Sequence, residues 1–113
     1  MTQNPNLVRG TLDLLILKSL TWEPLHGYAV SEWIERVTDG SLLMEEGTLY
    51  PALHRLAEKG LVESEWGLSA NNRRAKYYSL TPAGRKHLER EAASWAAYSS
   101  AVAKALAVES PIR

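Results

Sequence analysis

Residues 47–60 read Gly47-Thr48-Leu49-Tyr50-Pro51-Ala52-Leu53-His54-Arg55-Leu56-Ala57-Glu58-Lys59-Gly60, and this stretch decides the fold. Leu49, Ala52, Leu53 and Leu56 recur at i, i+3, i+4 and i+7, the spacing of one apolar helix face. Thr48 is placed to cap the helix, and Pro51 then falls in the first turn, where its missing N–H costs nothing. Gly60 suits the position just past the C-terminus. The opposite face carries Tyr50, His54, Arg55, Glu58 and Lys59. A helix that is apolar on one side and rich in hydrogen-bonding side chains on the other can sit on a core and enter a DNA major groove, which is ~12 Å wide.

The flanking residues supply the rest of a domain. Upstream, Val30, Trp33, Ile34 and Val37 mark a second helix over about 28–38, stopped by Asp39-Gly40. Before it, residues 11–20 (TLDLLILKSL) form a helix apolar on most sides. Leu12, Leu15 and Ile16 share a face, which implies burial against a second subunit as well as the core. Residues 1–8 read as a flexible arm. Downstream, Leu61–Trp66 alternates, with Val62 and Trp66 on one side and Glu63 and Glu65 on the other. Ala75–Leu80 is the return strand, in which one of Tyr77 and Tyr78 is buried. The loop between them carries Arg73 and Arg74. Thr81-Pro82 starts a last helix to about residue 108, followed by a frayed tail over 109–113. On that helix Leu88, Ala92, Trp95, Ser99, Val102 and Leu106 form a heptad-like seam, too long for this body to bury alone, so a partner helix is expected.

The order helix, helix, helix, hairpin, helix is a winged helix-turn-helix: mainly α (α+β), a DNA-binding domain over 9–81 with a two-stranded wing, followed by a long C-terminal dimerisation helix over 82–108. The chain has 113 residues, enough for one domain. Its formal net charge is zero, but the distribution is uneven. Residues 1–68 hold five basic and ten acidic side chains, a net of −5, whereas residues 69–90 hold six basic and one acidic, a net of +5. Local clustering is what a polyanion senses. The absence of cysteine excludes disulfides, thiol nucleophiles and cysteine-ligated metals. No P-loop, HExxH, GxSxG or GxGxxG motif is present, so no enzyme, cofactor or metal site is expected. His54 and Glu58 lie one turn apart, but a pair of this kind reads as a solvated or DNA-facing surface. With no membrane-length apolar run and no signal-peptide layout, a cytoplasmic protein is expected.

Three motifs resemble the PadR family of transcriptional regulators over roughly residues 9–90: His26-Gly27-Tyr28, the Glu46–Leu56 run, and Arg73-Arg74-Ala75-Lys76-Tyr77-Tyr78-Ser79-Leu80-Thr81-Pro82-Ala83-Gly84-Arg85. The single C-terminal helix resembles the compact branch of that family. The resemblance implies a homodimeric repressor joined through its first and last helices, reading a palindromic operator in double-stranded DNA. It implies DNA contacts from Thr48, Tyr50, His54 and Arg55 on the reading helix, and from Arg73, Arg74 and Lys76 on the wing. Tyr28 would touch phosphate, or simply pack. It further implies a small aromatic effector between the dimer's helices, where Trp95 either lines the site or packs in the interface. The competing reading is a winged helix used only for protein–protein contact, which the basic wing opposes.

Overall fold

The computed structural model describes residues 5–111, with side chains described from Gly10 onward. Four helices, α1 (Pro5–Ser19), α2 (Gly27–Val37), α3 (Glu46–Glu58) and α4 (Pro82–Ala107), surround a sheet of β1 (Leu25–His26), β2 (Val62–Leu68) and β3 (Arg74–Leu80). The sheet is antiparallel in the order β1-β3-β2. The fold is therefore the winged helix-turn-helix, with one strand more than the two-stranded wing expected. Leu25 pairs with Tyr78 and His26 with Tyr77, so β1 ties the α1–α2 connection to the root of the wing. Helix α1 begins at Pro5, inside the stretch read as an arm; residues 1–4 lie outside the described residues, as do Ile112 and Arg113 of the tail.

The core explains why α1 is so apolar. Leu12, Ile16, Leu17 and Leu20 are buried together with Val30 and Ile34 of α2 and with Leu49, Ala52, Leu53 and Leu56 of α3. α1 packs against α2, α3 and α4 at once, which buries Leu12, Ile16, Leu17 and Leu20 inside the chain while Leu14 and Leu15 stay partly exposed. This corrects the assignment of Leu12 and Ile16 to a subunit interface: they are 6% and 0% exposed in the single chain. Leu15 is partly buried against the same core.

Helix boundaries follow from capping chemistry. α2 is capped by His26, whose Nδ1 accepts from the Ala29 amide at 3.2 Å. α3 starts three residues earlier than expected. Its N-cap is Glu45, which makes no side-chain cap bond, so Thr48 lies inside the first turn instead of capping it. Pro51 is then the sixth helical residue, and the N–H that would bond the Gly47 carbonyl is missing. α3 closes in a Schellman motif: Gly60 (φ +74°) donates to Ala57 and Leu61 to Leu56, at 3.0 and 2.9 Å. Thr81 caps α4, its Oγ1 accepting from the Gly84 amide at 3.0 Å and donating to the Gly60 carbonyl at 2.6 Å. Gly84 has to be glycine, because a Cβ there would overlap the Leu61 carbonyl.

Only the first turns of α4 rest on the body, where Leu88 is partly buried against the core. Beyond them residues 91–107, exposed apart from the partly buried Ser99, form a projection of roughly 25 Å at 1.5 Å per residue. That projection accounts for a radius of gyration of 16.4 Å, against roughly 13 Å for a compact chain of this length.

Candidate nucleic-acid interface

The wing is built by a seven-residue register from Val62↔Leu80 to Leu68↔Arg74. Alternation gives it two unlike faces. On one, Val62, Ser64, Trp66 and Leu68 oppose Leu80, Tyr78, Lys76 and Arg74. At its root, Val62 and Tyr78 are buried; toward its tip, the side chains are aromatic and cationic. The Arg74 guanidinium lies 4.5 Å and the Lys76 Nζ 5.9 Å from the Trp66 ring centroid. On the reverse face, Glu63 and Glu65 oppose Ser79 and Tyr77. The tip is closed by Ser69, whose amide donates to the Arg73 carbonyl at 2.8 Å and whose Oγ accepts from the Arg73 amide at 3.3 Å. Asn72 takes the left-handed position (φ +60°) that asparagine tolerates.

The cationic face of the wing looks across a groove of about 680 Å³ to α2 and α3. Tyr28, Tyr50, Arg73, Arg74 and Lys76, all singled out from the sequence, line it together. Trp66, His26 and Glu32 line it as well; they were not anticipated there. Tyr28 is 68% exposed at the N-terminus of α2, whose first turn holds no acidic residue. Tyr50 is held by contact: a Cβ on Gly27 would meet its ring and hydroxyl at 2.5–2.8 Å. Burial lifts the Tyr78 phenol above its ordinary 10.0, and Tyr50 beside it adds to the rise.

Thr48 and His54 are exposed on α3 outside the groove lining. Arg55 differs from the expectation of a free DNA-facing side chain. It is half-buried and reaches back to α1, with its guanidinium 3.4 Å from the Asp13 carboxylate. Trp95 lies apart from these groups on the free stretch of α4, 47% exposed and 6.3 Å from Tyr98. Among the described residues no cluster of three or more histidine, aspartate or glutamate side chains could hold a metal ion. Among them, too, no helix is long and apolar enough to cross a membrane.

A reading helix, a capped helix in front of it and a hairpin with a cationic face define a winged helix-turn-helix protein. Residues 16–90 match the transcriptional regulator PadR-like family. The chain belongs to that family, whose members are transcriptional regulators and not enzymes. It is similar to a transcriptional regulator from Clostridium thermocellum, with a TM-score of 0.80 and 31% identity over 88% of this chain and 96% of that one. It is also similar to a PadR family regulator from Eggerthella lenta, with a TM-score of 0.76 and 36% identity over 92% and 88% of the two chains. The transcriptional regulator Rv3488 of Mycobacterium tuberculosis is 35% identical over 71% of this chain and 71% of its own length.

Proposed function

We propose that this regulator is a cytoplasmic homodimer that represses transcription by binding a palindromic operator in double-stranded DNA. The observation that carries the reading is the groove in which Tyr28, Tyr50, Arg73, Arg74 and Lys76 meet. α3 enters the major groove with Thr48, Tyr50 and His54 toward the bases. The wing cations take the adjacent backbone, and the α2 N-terminus beside Tyr28 takes a phosphate. Arg55 joins them only by leaving Asp13.

The seam on α4 supports the dimer. Ala92, Trp95, Val102 and Leu106 are exposed and Ser99 partly so, and Leu106 is 80% exposed in the single chain. Full burial of a large apolar side chain is worth about 1.5–3 kcal/mol, so a second α4 packed on this seam removes its largest apolar liability. Two heads then read half-sites spaced by about one helical turn, ~34–36 Å, or a multiple of it. Trp95 and Tyr98 offer stacking surfaces to a small aromatic effector between the paired helices. Such a ligand acts by favouring one spacing of the heads over another. Light scattering with an electrophoretic shift on the gene's own upstream region tests the reading. A dimer giving a sequence-specific shift supports it. A monomer, or no specific shift at moderate salt, overturns it, the latter in favour of a protein-interaction module.

A further inference from the structure

The Arg74–Trp66–Lys76 cluster has an unusual charge state. Two cations lie 4.5 and 5.9 Å from one ring centroid, and among the described residues the sole ion pair is Arg55–Asp13. Glu63 and Glu65 are on the other face of the hairpin, and Glu32 of α2 lines the same groove without forming an ion pair with either cation. What each cation meets on this face is the indole ring, which attracts positive charge. Trp66 itself is 56% exposed, so core burial does not explain a tryptophan at this register position. A guanidinium held over a ring spends no N–H donor on that contact, so its donors stay available to a phosphate.

We propose that Trp66 is the positioning residue of the wing. Its ring pre-orders Arg74 and Lys76 toward the DNA backbone, so that neither side chain is immobilised at the moment of binding. This rests on the DNA-binding reading above and adds a role that charge counting alone does not supply. Losing the ring removes no charge. Trp66→Leu therefore keeps the salt slope of binding while affinity falls.

The test uses the full chain and a labelled mixed-sequence duplex, because wing-to-backbone contacts do not depend on sequence. With two wings per dimer, Trp66→Leu weakens binding about fivefold to thirtyfold with an unchanged slope of log affinity against log salt, and Trp66→Phe falls between. On an Arg74→Ala/Lys76→Ala background, Trp66→Leu has no further effect. A second readout needs no DNA: in the NMR spectrum of the free protein the Arg74 δ-protons are shifted upfield by the indole ring current, and Trp66→Leu returns them to ordinary positions. Ordinary Arg74 shifts in a wild-type protein that binds duplex overturn the platform alone. Shifted resonances combined with full affinity in Trp66→Leu overturn its role in binding. A wild-type protein with shifted resonances that binds no duplex overturns the DNA reading, and this proposal with it.

Discussion

Replacing both tip arginines tests the wing by a quantity that packing changes do not mimic. Arg73→Ala/Arg74→Ala leaves the hairpin intact, because the bonds from Arg73 to Ser69 run through its backbone and both side chains are exposed. What is lost is charge. Each phosphate neutralised by a cation releases counterions and contributes about −0.9 to the slope of log affinity against log salt. Four arginines are removed from a dimer, so the slope becomes shallower by as much as about 3.6. Between 50 and 200 mM salt the wild type then loses about 150-fold more affinity than the variant. Fluorescence anisotropy on a labelled duplex, titrated at several salt concentrations, reads the slope directly. Weakening should be similar on specific and mixed-sequence duplexes, since phosphate contacts carry no sequence information. An unchanged slope would refute the argument, whatever happened to the affinity at one salt concentration.

Three further outcomes follow from particular contacts. Asp13→Asn removes a half-buried ion pair worth no more than about 1 kcal/mol; a small drop in the urea midpoint should accompany tighter duplex binding as Arg55 is released, and unchanged binding would leave Arg55 a purely structural link between α1 and α3. Gly84→Ala forces a methyl into the Leu61 carbonyl and should cost about 1–3 kcal/mol in chemical denaturation, whereas Gly47→Ala meets no atom within 4 Å and should not. Tyr78 has a raised folded-state pKa, so its contribution to stability is fully present below the ordinary 10.0 and is lost as pH rises through the folded value. Urea melts at neutral and strongly alkaline pH should show that loss reduced in Tyr78→Phe.

The parts of this fold that were legible in the sequence are those set by local periodicity. The buried faces of α2 and α3, the hairpin and the Thr81-Pro82 start each depend on residues a few positions apart. What was not legible depends on distance along the chain. β1 is only two residues long and exists because Leu25 and His26 meet Tyr78 and Tyr77, with nothing in Leu25-His26 itself to announce a strand. Arg55 finds Asp13 across 42 positions, so spacing on α3 could not reveal that it is tethered. The apolar surplus of α1 was correctly read as burial on several sides, but the neighbours are three helices of the same chain. The α3 start differed because Glu45 adopts the extended capping backbone without a side-chain cap bond. For Trp66, alternation gave the correct face, shared with Val62, but that face passes from core to groove along its length. Only the register shows Trp66 opposite Lys76.

The zero net charge has a consequence for how such a dimer holds DNA. In each wing Arg74 and Lys76 lie on one face, and the carboxylates of Glu63 and Glu65 are on the reverse. At physiological ionic strength charges are screened over ~8 Å, so a duplex lying along the cationic face senses that face more than the total. Glu45 and Glu46 stand at the start of α3. They suit the helix dipole but repel phosphate, so in the proposed complex α3 would meet base edges along its flank while the α2 N-terminus and the wing take the backbone. One head of this kind binds weakly, because its attractive surface is small and residues 1–68 carry a net charge of −5. Affinity must come from two heads acting together, since the second contact is made at the high effective concentration set by the first. That advantage disappears when the heads no longer match the spacing of the half-sites. In the proposed dimer, a change in how two α4 helices pack would be enough to release the operator without altering any residue that touches it.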